Sequence, residues 1–170
     1  MTKILWFTGL SGVGKSTLSK IIGTKLSKLS FKVKIIDGDI FRTKSKNKNS
    51  FSKTNILKNN FSIISYIKKI QTEYDFILVS AISPLLITRN LARAKFGLNY
   101  FEIYVKCKIK TLEKRDTKQL YARAKKNIIK NLIGYNSNIK YEVSKYKKII
   151  IDTDKLTKFK SINLIIKKIF

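Results

Sequence analysis

Gly9-Leu10-Ser11-Gly12-Val13-Gly14-Lys15-Ser16-Thr17 is the run from which the rest of the chain can be placed. It fits the pattern G-x-x-x-x-G-K-[ST], with Gly9, Gly14, Lys15 and Ser16 at the defining positions. An apolar run, Ile4-Leu5-Trp6-Phe7, precedes it, and a helix-like run from Thr17 to Leu29 follows. Strand, glycine loop and helix in that order make a phosphate cradle. The glycines let the backbone curl so that successive N–H groups face phosphate oxygens, and the helix adds the positive end of its dipole. Lys15 brings a charge to the β- and γ-phosphates, and the Ser16 hydroxyl suits Mg²⁺.

Outward from this loop, apolar runs of strand length alternate with helix-length segments. Strands are expected at Lys3–Thr8, Lys32–Asp37, Phe76–Ser80, Phe101–Lys106 and Lys148–Asp152, and helices near 16–29, 54–71, 85–96, 109–126 and 156–169. Runs such as Phe76-Ile77-Leu78-Val79 are apolar throughout, as parallel strands buried on both faces require. The alternation predicts an α/β fold with a parallel sheet and right-handed crossovers. Ligands of such sheets bind at the carboxyl ends of the strands. The polar segment 43–53 reads as a mobile surface loop. The basic stretch from about Asp116 to Lys147 has no strand signal and reads as a lid. In the last segment Leu156, Phe159, Ile162, Ile165, Ile166 and Ile169 follow helical spacing, a stripe expected to cover the sheet.

The 170 residues suit one domain, 1–170,. A single cysteine, Cys107, makes no internal bridge and suits a reducing compartment,. A strand starting at Lys3 leaves no room for a signal peptide, and no apolar run reaches membrane-span length, so the chain is read as cytoplasmic. The net charge of +27 invites a nucleic-acid reading,. Only five of the 37 basic residues are Arg, however, and base-reading forks are lacking,. Lys, Ile and Asn share adenine- and thymine-rich codons, so genome composition can supply much of the excess. Specific nucleic-acid and membrane partners are not expected; a small nucleotide acceptor is, and a homodimer is the assembly to test.

Two carboxylates, Asp37 and Asp39, close the second strand in a chain with only ten acids. Beside a phosphate loop they can orient a hydroxyl, take its proton or hold Mg²⁺ through water, and Arg42 can fork onto phosphate. The third strand ends in Ser80-Ala81-Ile82-Ser83-Pro84, without a Walker B carboxylate. Ser83-Pro84 can cap the next helix or touch substrate. Arg115 can stack on a purine or clamp phosphate, with Lys118 and Arg123 nearby.

Together these segments resemble the adenylylsulfate kinase family. The resemblance rests on Gly9 to Thr17, Asp37-Gly38-Asp39 with Arg42, Phe51-Ser52, Asn59, Ile82-Ser83-Pro84, Arg115-Asp116 with Lys118, Leu120-Tyr121, Tyr141-Glu142 and Ile151-Asp152-Thr153. It implies a P-loop kinase fold, a five-stranded parallel sheet flanked by helices with a lid at about 116–147. It implies MgATP as donor and a ribose 3′-hydroxyl of a 5′-activated nucleotide as acceptor. On that resemblance ATP is held by Gly9, Ser11, Gly12, Val13, Gly14, Lys15, Ser16, Thr17, Arg115 and Asp152, and the metal by Ser16. The acceptor is held by Asp37, Asp39, Arg42, Phe51, Asn59, Ile82, Ser83, Lys118 and Leu120. Asp39 is the candidate base, Lys15 a catalytic cation, and Ser83 matches a serine proposed as a phosphoserine intermediate; direct in-line transfer is also chemically sufficient.

The departures fall on the acceptor side. An Arg expected three residues before Asn59 is Ile56, and Ile-Arg-Arg after it is Asn60-Phe61-Ser62. Phe-Thr-Gly in the lid is Leu132-Ile133-Gly134, Lys-Gly-Leu-Tyr is Lys118-Gln119-Leu120-Tyr121, and Ser-Pro-Phe-Arg is Ser83-Pro84-Leu85-Leu86. Losing the Arg removes charge-assisted bonds of about 1.5–3 kcal/mol each. This pattern looks like the cytidine diphosphoramidate kinases of bacterial capsule biosynthesis, which is the expectation carried forward. Adenylylsulfate is the alternative acceptor, and a basic nucleic-acid-binding protein the distant one.

Overall fold

A computed structural model describes residues 1–43 and 52–170. Five strands form one sheet: β1 (Lys3–Thr8), β2 (Val33–Asp37), β3 (Phe76–Ser80), β4 (Tyr100–Lys106) and β5 (Ile149–Asp152). Their order is β2-β3-β1-β4-β5, and every pairing is parallel. The helices are α1 (Lys15–Lys28), α2 (Gly38–Thr43), α3 (Lys53–Ile70), α4 (Leu86–Phe96), α5 (Ile109–Arg115), α6 (Leu120–Lys125) and α7 (Lys158–Ile169).

Alternation along the central strand builds both layers. Leu5 and Phe7 of β1 enter a core with Leu18, Ile22 and Leu26 of α1 and Ile162, Ile165 and Ile169 of α7. Ile4 and Trp6 point the other way, into a core with Ile63 and Ile67 of α3 and Ala92 and Phe96 of α4. Period-two strands with apolar residues on both faces require helices on both sides. At about 25 cal/mol per Å², each of the buried Leu, Ile and Phe side chains contributes roughly 1.5–3 kcal/mol. The α7 stripe therefore packs on the sheet through Ile162, Ile165 and Ile169. Phe159, one turn earlier, is 67% exposed, beneath the Lys25 ammonium. Among the described residues no helix is long and apolar enough to cross a membrane.

Two helices depart from the sequence expectation. The helix expected over 109–126 is broken into α5 and α6, because Asp116 turns the chain and its carboxylate accepts from the Tyr121 and Ala122 N–H groups. An extra helix, α2, follows β2 directly, where Asp37 Oδ1 accepts from the Asp39 N–H at 2.9 Å and starts the turn. Most of the loop expected at 43–53, with Phe51, lies outside the described residues. No strand forms in 116–147; apart from α6 that stretch is irregular, and it returns to the body through Tyr141 and Glu142.

Candidate active site

The loop between β1 and α1 is held by its own geometry. Gly9, Gly12 and Gly14 have φ of 137°, 79° and 102°. At Gly9 a Cβ would lie 2.0 Å from the Val105 carbonyl oxygen, so no side chain fits between the loop and β4,. Lys15 folds back over the loop, donating to the carbonyls of Gly9 at 3.0 Å and Leu10 at 2.7 Å. Burial pushes its ammonium down to about 8, against the opposing pull of Asp39,.

Strand β2 delivers the acidic pair to the same place. Ser16 Oγ donates to Asp37 Oδ2 at 2.9 Å, so one hydroxyl and one carboxylate meet at the mouth of the loop. Asp39 lies in the first turn of α2. Its carboxylate receives Lys118 Nζ at 3.1 Å and faces Arg42 Nη2 at 3.5 Å. Burial raises the Asp39 pKa, but the hydrogen bond and charge of Lys118, with Arg42 and Lys15, outweigh it and hold the carboxyl below its usual range. At the end of β3, Ser80 Oγ donates to Ser19 of α1 at 2.7 Å. The strand end where a Walker B carboxylate was missing thus anchors a helix.

Two cavities meet at Asp39. One is a cleft of about 700 Å³, lined by Ser11 to Leu18, by Asp39, Arg115 and Lys118, and by 153–158 with Ser161. The other, about 30 Å³, is lined by Asp39, Arg42, Asn59, Asn60, Ile82, Ser83 and Ile133 among others. Arg115, in the cleft wall, donates to the Thr153 hydroxyl at 3.0 Å and the Thr153 carbonyl at 2.9 Å.

Five expected residues are placed differently. Gly9 and Asp37 line neither cavity: Gly9 lies against the Val105 carbonyl and Asp37 is bonded to Ser16. Asp152 does not line the cleft: its carboxylate pairs with Lys106 at 3.4 Å and accepts from the Asp154 N–H, and the residues just after it form the wall. Leu120 packs against the core, and its neighbour Tyr121 reaches the loop, donating to the Ser11 carbonyl at 2.9 Å. Ser83 neither caps α4 nor offers a free hydroxyl. It is 2% exposed, accepts from Trp6 Nε1 at 3.0 Å and donates to Asn60 Oδ1. The cap on α4 comes from Glu142, whose carboxylate accepts from the Leu86 N–H.

Other residues were not expected at the site from sequence, and Leu156, expected in the stripe over the sheet, precedes α7 and lies in the cleft wall instead. Leu156 and Thr157 line the cleft; the signal available was their position just past the last strand, at its carboxyl end. Ile56, Leu85 and Ile133 form an apolar cluster against Leu10 and Ile82. Each had been noted only as a departure from a pattern. Among the described residues no group of three or more His, Cys, Asp or Glu side chains could cage a metal.

Comparison with known proteins agrees with this geometry. The family profile described as Adenylylsulphate kinase matches residues 1–152. The adenylyl-sulfate kinase of Clostridium acetobutylicum is 35% identical over 164 residues, covering 96% of this chain and 80% of that one. The probable adenylyl-sulfate kinase of Archaeoglobus fulgidus is 31% identical, covering 91% of this chain and 98% of that one. The Mycobacterium tuberculosis APS kinase, solved in complex with AMPPNP and APS, superposes with a TM-score of 0.83 at 28% identity, over 96% of this chain and 95% of that one. The profile match over most of the chain, the identity to these kinases and the shared fold agree: the chain belongs to the adenylylsulfate kinase family of ATP-dependent P-loop kinases with a hydroxyl acceptor.

Proposed function

We propose that the chain transfers the γ-phosphoryl group of ATP to the ribose 3′-hydroxyl of a 5′-activated nucleotide, with adenylylsulfate as acceptor. The observation that carries this reading is the position of Asp39, the carboxylate that lines both cavities. A donor phosphate in the cleft and an acceptor hydroxyl in the hollow would meet beside it. Phosphoryl transfer needs mainly positioning and charge neutralisation. Lys15 would lie along the β- and γ-phosphates, and Arg115 would lie over the purine. Asp39 would accept a hydrogen bond from the 3′-hydroxyl and take its proton, its oxygens released from Lys118 as the phosphates draw that ammonium away. Ser16 and Asp37 fit Mg²⁺, two hard oxygen ligands with room for water; the ion would neutralise charge on the phosphates. The buried, doubly bonded Ser83 supports direct transfer over a phosphoserine carrier.

The hollow of about 30 Å³ holds a water-sized group. An acceptor nucleotide would enter by displacing Ile133 and the 116–147 segment that bears it, which makes this segment a lid. ATP as donor and adenylylsulfate as acceptor are supported by the names of the relatives and by the AMPPNP and APS bound in the Mycobacterium tuberculosis enzyme.

One observation favours a second acceptor. Ile56, Leu85 and Ile133 make an apolar wall where the family pattern has Arg, Phe and Thr in turn. Such a wall suits a smaller base and a less anionic 5′ group, as in cytidine diphosphoramidate. The discriminating experiment is kcat/KM for both acceptors by coupled ADP release. A preference for adenylylsulfate supports the main reading, and a preference for the cytidine nucleotide replaces it with the second.

A further inference from the structure

Helix α4 carries a guanidinium in its buried stripe: Thr88, Arg89, Ala92 and Phe96 all face inward, and Arg89 is 0% exposed. An aliphatic residue would fill that space without the desolvation penalty of a buried charge. The reason for Arg lies in its partners. Nη1 donates to the Ser83 carbonyl and Nη2 to the Glu142 carbonyl. Nε faces Glu102 Oε1 at 3.4 Å, a charge contact without a hydrogen bond, while Arg93 donates to Glu102 Oε2 at 3.0 Å. The plane lies 4.9 Å from the centre of the Tyr141 ring, which stacks on Tyr104.

These contacts join two segments far apart in sequence. The Ile82–Pro84 loop walls the acceptor hollow, and Tyr141-Glu142 ends the lid. All three carbonyls of that loop are held: Ile82 by the Thr8 hydroxyl at 2.6 Å, Ser83 by Arg89, and Pro84 by the Glu142 N–H at 2.9 Å. Ser83 itself has φ of 44°, a left-handed conformation that persists only where surroundings enforce it,. A planar fork can bind two carbonyls in fixed directions; an ammonium cannot.

We propose that Arg89 is a positioning residue for phosphoryl transfer: it locks the acceptor loop to the returning end of the lid, so that the acceptor wall takes its working shape only when the lid is docked. The proposal rests on the functional reading above for its kinetic consequence, but not for its structural one.

The test combines hydrogen exchange and kinetics on Arg89→Lys and Arg89→Met, with Tyr141→Leu as a lid-side variant should Arg89→Met fail to fold. Without any substrate, peptides covering 82–86 and 141–146 lose protection together in each variant, while β3 keeps its own. In turnover assays Arg89→Lys raises acceptor KM by about tenfold, the scale of one lost charge-assisted bond, and leaves ATP KM within about twofold; Tyr141→Leu does the same by about threefold, the scale of a lost cation–π contact. Unchanged protection, or loss confined to one of the two segments, overturns the proposal. So does a rise of both KM values in step with a fall in Tm. Wild-type inactivity towards every nucleotide acceptor would count against the functional reading, and the exchange result would still decide the role of Arg89.

Discussion

At Asp39 three cations converge on one carboxylate, from α2, from the segment after α5 and from the phosphate loop. The depressed pKa keeps it ionised throughout the neutral range, so its loss is expected only as pH falls through the acidic range, below the usual carboxylate value. Asp39→Asn keeps the shape and removes the base. It should lower kcat by about 10²–10⁴, the range of general-base catalysis, with ATP KM nearly unchanged in steady-state assays. Lys15 gives the opposite pH signature. Its ammonium titrates near 8 in the free enzyme, so kcat/KM for ATP should fall as pH rises through that value while kcat stays flat, because bound phosphates favour the charged form,. The unfolded chain holds that proton up to the ordinary value of 10.5, so the Lys15 contribution to stability rises across the same window,. A flat kcat/KM profile to pH 10 would remove Lys15 from ATP binding.

At the scale of elements, the segment proposed as a lid meets the phosphate loop at Gly134, where φ is 79° and a Cβ would come within 2.5 Å of the Leu10 side chain. Gly134→Ala should cost about 1–2 kcal/mol of stability, the scale of a side chain forced into a left-handed backbone. Adding Leu10→Ala should restore the part due to the clash, measured by urea unfolding. The five strands could be read from residue types because both faces of each central strand are apolar, a pattern independent of tertiary detail. Helix α2 was hidden because Asp37-Gly38 reads as a turn, and only the folded chain shows Asp37 capping a helix as well as meeting Ser16. The break at Asp116 was hidden because Arg115 to Lys125 continues a helical composition. Ser83 could be singled out but not its burial, since Trp6 and Asn60 reach it from distant parts of the chain.

Across the whole molecule, the charge of +27 sits on a fold whose ligands are polyanions. A field of this sign raises the local concentration of nucleotides and weakens with salt. Raising ionic strength from about 20 to 200 mM should lower kcat/KM several-fold through KM, with kcat held; an unchanged KM would make the lysine excess irrelevant to substrate capture. The two cavities, the carboxylate that lines both and the 116–147 segment that contributes to each support a single proposal about chemistry: phosphorus passes from ATP to a sugar hydroxyl beside Asp39. The most direct measurement is product analysis by phosphorus NMR and mass spectrometry after incubation with MgATP and adenylylsulfate. The account predicts one ADP per acceptor consumed, with the new phosphate on the ribose 3′-oxygen. ATP hydrolysed to free phosphate with the acceptor untouched, or phosphate placed on any other atom, would contradict it.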